Sequence, residues 1–126
     1  MATTIATGSV HHLTLTVTHV QRSVEFYTSF LGFQLVMELG PRRLLSNGSV
    51  ILALTPPPDA AQAIQGDRFS ENRVGLDHVS LNVARRADLE TAIRLFADQG
   101  VAHGEIKDLG ADLEIDAPQG KMIVEC

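Results

Sequence analysis

The chain of 126 residues has a single cysteine, a single tyrosine and no tryptophan. One thiol excludes an intrachain disulfide and fits a reducing compartment, so a cytoplasmic location is expected. That thiol, Cys126, is the last residue, where a plain terminal side chain is a simpler reading than a catalytic nucleophile. No apolar run approaches the ~20 residues of a membrane span. The opening "MATTIATGSV" lacks a basic segment ahead of an apolar one, so no secretory signal is expected. Basic charge is short as well: ten Lys and Arg stand against fifteen Asp and Glu, giving a formal charge of −5. That balance offers no cationic stripe for a phosphate backbone, and nucleic acid is not an expected partner. What remains is 44% hydrophobic residues, enough to build the core of one domain.

The patterning is of two kinds. His12-Leu13-Thr14-Leu15-Thr16-Val17 alternates strictly, with Leu13, Leu15 and Val17 on one side and His12, Thr14 and Thr16 on the other. Period two means a half-buried strand. "QRSVEFYTSFLGF" then puts Val20, Val24, Tyr27 and Leu31 at helical spacing, with Gly32 as the stop. "FQLVMEL" reads as a second strand closed by the Gly40-Pro41 turn. "RRLLSNGSVILAL" reads as a hairpin, with a type I′ turn at Asn47-Gly48. Pro56-Pro57-Pro58 ends it, because proline cannot donate to a ladder. The order is β-α-β-β-β.

Residues 56–75 are rich in Pro, Gly, Asp, Asn and Gln, with one helical turn expected around Ala60 to Ile64. A connection this long in a compact domain is a linker or a site lid. After it the order restarts. His78-Val79-Ser80-Leu81-Asn82-Val83 alternates in the same phase, histidine first on the polar side. "RRADLETAIRLFADQG" is an amphipathic helix carrying Leu89, Ala92, Ile93 and Phe96, capped near Asp88 and closed by Gly100. "VAHGEIKDL", "DLEIDA" and "KMIVE" complete a second β-α-β-β-β as three short strands. The expected architecture is therefore α+β: one domain, 1–126, of two tandem βαβββ modules, 8–56 and 76–126, joined by a linker at 57–75. Repetition at this interval marks a duplicated unit. Each sheet has one helix for its Leu/Val side, which leaves the His/Thr/Ser/Asn sides to enclose a cleft.

These residues resemble the vicinal oxygen chelate superfamily, which includes glyoxalase I, extradiol dioxygenases, fosfomycin-modifying enzymes and bleomycin-binding proteins. The resemblance is carried by "HHLTLTV", "SVEFYTSFLGF", "DHVSLNV" and "GKMIVE" and runs from about Val10 to the end. Its most specific stretch for the fold is Ser23 through Phe33. In metal-binding members a histidine near the start of each module's first strand and a carboxylate on the last strand hold the ion. The matching residues are His12, His78 and Glu125. The resemblance thus implies a divalent metal, Fe(II) or Mn(II) before Zn(II) or Ni(II), a small-molecule substrate and a homodimer. Two departures stand out. Glu125 lies five residues after Gly120 instead of the usual four, which calls for a bulge or a changed register. In addition, "SVILALT" lacks the further Glu, Gln or His that glyoxalase I takes from the first module's last strand.

Each candidate has a plainer alternative. A lone His12 reads as an edge residue in water; its repetition at His78, in the same phase, turns the reading toward ligation. His11 has the opposite parity and reads as structural, and His19 as a turn residue. His103, expected on the second module's second strand, is the candidate general base. Tyr27 reads as core. Arg42 and Arg43 read as solvated charges, with anchoring of an anionic substrate as the alternative. Two imidazoles and one carboxylate leave coordination positions open, so a substrate can chelate through adjacent oxygens. The expected activity is dioxygenase-like. The alternatives are a metal-free drug- or metabolite-binding protein, disfavoured by the few aromatics, and a fosfomycin thiol transferase-like enzyme.

Overall fold

The structure is a computed structural model that describes residues 3–106 and the strand 120–125. It separates into two compact units, 1–66 and 67–126.

In the first unit, β1 (His12–Thr16), α1 (Val20–Phe30), β2 (Gln34–Leu39), β3 (Arg42–Ser46) and β4 (Ile51–Thr55) follow one another as β-α-β-β-β. The sheet order is β1-β4-β3-β2, so the first and last strands lie side by side and β1 and β2 form the two edges of this sheet. β1 runs parallel to β4, with His12 opposite Ile51 and Leu15 opposite Leu54. Burial follows the alternation. Leu15, Leu45, Leu52 and Leu54 share one side of the sheet and are buried, Leu45 and Leu54 completely. Helix α1 packs on β2, β3 and β4, and its buried Val24 and Tyr27 complete this core with Phe33. The Tyr27 and Phe33 rings meet edge to face at 5.6 Å. Gly32, at φ +71°, takes the left-handed conformation that ends the helix.

Two turns differ in their detail. At Gly40-Pro41 the glycine has φ +55° and proline's ring fixes the next φ as negative, the pattern of a type II′ hairpin. The Asn47-Gly48 turn is not type I′, which needs positive φ at both central residues; only Gly48 has it, at +91°. The loop instead spans Asn47 to Val50, because Ser46 pairs with Ile51. Asn47 Oδ1 accepts from the backbone N–H groups of Ser49 and Val50 at 2.9 and 3.0 Å. The asparagine side chain supplies the turn that its backbone does not. β2 also carries a bulge that no local pattern announces: Leu35 pairs with Leu45 and Met37 with Leu44, leaving Val36 without an opposite number.

The connection contains the expected helical turn, a 3₁₀ turn at Ala60–Gln62 capped by Asp59, whose carboxylate accepts from Ala61 N–H. In the second unit β5 (His78–Val83) pairs antiparallel with β6 (Gly120–Glu125). Helix α2 (Arg86–Asp98) packs on both strands. Val79, Leu81 and Val83 are half-buried while His78, Ser80 and Asn82 are exposed, so the expected alternation holds. Asp88 accepts from the Arg85 N–H at 3.1 Å, and Gly100 closes the helix at φ +68°. Residues 101–106 do not form the expected strand. Gly104, the charged Glu105 and an exposed histidine leave this stretch without a continuous apolar side to bury. The strand expected over "DLEIDA", the Pro118-Gln119 turn and Cys126 lie outside the described residues. The overall class is α+β, as the alternation of the two patterns requires.

Leu54→Ala should lower unfolding free energy in urea by about 2–5 kcal/mol, the cost of a cavity where no solvent reaches. Met37→Ala, at a half-exposed position, should change it by about 0.5 kcal/mol or less.

Candidate functional site

The first unit contributes β1. Its buried side carries Leu15, so period two sends His12, Thr14 and Thr16 to the other side, and all three are exposed. In the ladder His12 is flanked by Ile51 of β4, and Ile51 by Ser46 of β3; Thr14 is flanked by Ala53 and then Leu44. Histidine therefore begins a row that continues through Ile51 to the polar Ser46 and Gln34. Its ring is not solitary. His12 Nδ1 lies 2.8 Å from His11 Nδ1, and the two rings meet edge to face at 5.1 Å. One of these nitrogens carries the shared proton. Because both Nδ1 atoms are occupied by the contact, the Nε2 atoms are the ones left for other partners.

The second unit repeats the arrangement with a different partner. His78 opens β5, and its Nδ1 lies 2.6 Å from Asp77 Oδ1. The ladder β5–β6 runs without a shift from Val83 opposite Gly120 to His78 opposite Glu125. The two expected ligands of this unit thus occupy directly opposed positions, and opposed positions of an antiparallel pair share a face of the sheet. The same register sets Val124 against Val79 and Met122 against Leu81. The five-residue spacing from Gly120 is accommodated without a bulge in the paired strand.

The remaining candidates separate. His103 is not on a strand; it is exposed, its Nδ1 donates to the Gly104 carbonyl at 2.9 Å, and its ring lies 6.4 Å from Phe96 of α2. It is a side chain resting against a helix end, and its placement on a strand is corrected. His19 is the N-cap residue of α1, where its carbonyl accepts from Ser23 N–H and its side chain makes no capping bond. Tyr27 is core. Arg43 is committed to its own hairpin: it donates to the carbonyls of Gly40 and Arg42 and lies 3.5 Å from Glu38. Asp77 is the residue that sequence reasoning passed over, although "DHVSLNV" spells it out. Among the described residues no group of three His, Cys, Asp or Glu side chains stands close enough to hold an ion.

A family model described as the glyoxalase/bleomycin resistance protein/dioxygenase superfamily matches residues 9–113. The chain belongs to this superfamily. Among solved structures, a candidate glyoxalase from Bacillus halodurans is similar at 20% identity and TM-score 0.58, over 74% of this chain and 70% of that one. SMU.1112c is similar at 24% identity and TM-score 0.58, over 79% and 80%. A protein from the mobile metagenome of V. Pseudocholerae is similar at 22% identity and TM-score 0.52, over 86% and 81%. At these identities the likeness is one of fold. No curated protein matches the sequence. Among the described residues no helix is long and apolar enough to cross a membrane.

His103→Ala should change unfolding free energy by about 0.5 kcal/mol or less in urea titration, since the ring is exposed and its hydrogen bond among the described residues is to its neighbour's carbonyl. A loss above ~2 kcal/mol would mean the ring is packed, as in a core truncation.

Proposed function

We propose that this superfamily member is a divalent-metal enzyme of the dioxygenase-like type, with His12, His78 and Glu125 as the protein ligands. The observation that carries the reading is the register pairing of His78 with Glu125 on β5 and β6. His12, which opens β1 in the phase in which His78 opens β5, supports it. The donor set fits such an ion. Both imidazoles have Nδ1 engaged by the preceding residue, so Nε2 is the nitrogen through which each would ligate. Two neutral nitrogens and one carboxylate suit Fe(II) or Mn(II), with Zn(II) and Ni(II) also within range. The bound ion would act as a Lewis acid on two adjacent oxygens of a small-molecule substrate.

The chain's own residues bear on what that substrate is. Thr14 and Thr16 present hydroxyls on the His12 side of β1, while Ile51 and Ala53 beside them are apolar. A substrate with neighbouring oxygens at one end and an apolar body matches this mixture, and a catechol-like compound has both. β4 has no Glu, Gln or His. The four-ligand set of glyoxalase I is therefore not the one proposed. His103 is retained as the general-base candidate of this reading only as a residue to be tested, since the structure leaves it outside the sheet. A homodimer in the cytoplasm is part of the same proposal; the half-exposed Leu35, Met37 and Leu39 on the edge strand β2 support association through that edge.

Elemental analysis after incubation with Fe(II), Mn(II), Zn(II) or Ni(II) should show one ion per chain in the wild type and a loss of it in His12→Ala, His78→Ala and Glu125→Gln. A wild type that stays empty with all four would replace the enzyme by the metal-free binder. Stoichiometric Mn(II) with thiol transfer to fosfomycin and no ring cleavage would replace it by the transferase.

A further inference from the structure

We infer that Asp77 is a positioning residue for His78: its carboxylate holds the Nδ1 proton and so presents Nε2 as a lone-pair donor. The inference deepens the proposed metal site and rests on that reading for its purpose, though not for its physical content. The distance of 2.6 Å is that of a charge-assisted hydrogen bond. An ionised carboxylate accepts and never donates, so in the neutral ring the proton must be on Nδ1. Free imidazole in water prefers the other tautomer, with the proton on Nε2, which would block that atom as a ligand. Asp77 reverses the preference.

The comparison with His12 sharpens the point. There the neighbour is His11, whose Nδ1 is able to donate or to accept. If His11 donates, a neutral His12 keeps its proton on Nε2 and cannot ligate through it. If His11 accepts, Nε2 of His12 is free. The residue before the histidine therefore permits the ligating tautomer in the first unit and dictates it in the second. His78 is the nitrogen donor set in advance, and the one whose position also faces Glu125 in the ladder. Carboxylate partners of this kind orient metal-binding imidazoles and raise their basicity, and their loss commonly costs 10–100-fold in metal affinity.

Neither side chain is buried, Asp77 being 61% and His78 46% exposed, so substitutions at 77 leave the core untouched. The test uses the whole chain with Asp77→Ala and Asp77→Asn, checked for unchanged circular dichroism. The tautomer is read first, by nitrogen-15 correlation spectra of the histidine rings in metal-free protein above the ring's titration, with His78→Gln to assign the signal. The expected result is Nδ1–H for His78 in the wild type, Nε2–H in Asp77→Ala, and substantial retention of Nδ1–H in Asp77→Asn, whose amide oxygen still accepts. Calorimetric titration with Mn(II) alone should then show affinity about 10–100-fold lower in Asp77→Ala and partly restored in Asp77→Asn. An unchanged tautomer in Asp77→Ala overturns the inference, whatever the affinity does. A tautomer switch in a wild type that binds no Mn(II) or Zn(II) upholds the role of Asp77 and removes the metal site instead. A tautomer switch with unchanged Mn(II) affinity overturns the claim that the presentation matters for binding.

Discussion

The placement of His12 and His78 depends on the strict period of two in β1 and β5. Burying Leu15 against Leu54 leaves His12, Thr14 and Thr16 no choice of side, because a slip of one residue would exchange the two sets. The cost of such a slip is the burial of a ring and two hydroxyls in place of leucines, so the hydrophobic effect alone locks the histidine outside the core. The parallel pairing of β1 with β4 extends the lock along the whole strand, as far as the bond from Val17 N–H to the Thr55 carbonyl. In β5 the same alternation, half-buried on one side and exposed on the other, sets His78 at the position opposed to Glu125. A site built this way needs no polar residue to be forced anywhere; the core positions it by exclusion.

This is also why so much of the fold was legible in advance. Alternation and helical spacing are local signals, and β1, α1, β5 and α2 follow them closely. The features that escaped are those decided by partners distant in sequence or by side-chain chemistry inside a turn. The bulge at Val36 exists because Leu35 and Met37 must meet Leu45 and Leu44 across a hairpin, which nothing in "FQLVMEL" states. At Asn47 a carboxamide bonding two backbone N–H groups outcompeted the two-residue turn that Asn-Gly alone favours. His103 sits in a short run whose apolar members within the described residues, Val101, Ala102 and Ile106, do not alternate well enough to form a buried side. For the candidate site, the repeated histidine was visible because it is a matter of phase, whereas Asp77 was not, because its significance is a 2.6 Å contact and not a pattern.

The membership of the superfamily constrains chemistry less than the ladder neighbours do. In the first unit the positions able to supply a further donor on the His12 side of β4 are 51, 53 and 55. Ile51 and Ala53 have no donor atoms, and Ala53 is buried between Thr14 and Leu44 in the register. Thr55 is buried and its hydroxyl is spent on the Pro56 carbonyl at 3.0 Å. On the proposed reading, this sheet can therefore give an ion one nitrogen and nothing more from β4. On that proposal any further donors would come from outside this sheet, and adjacent oxygens of a chelating substrate are the donors the proposal names.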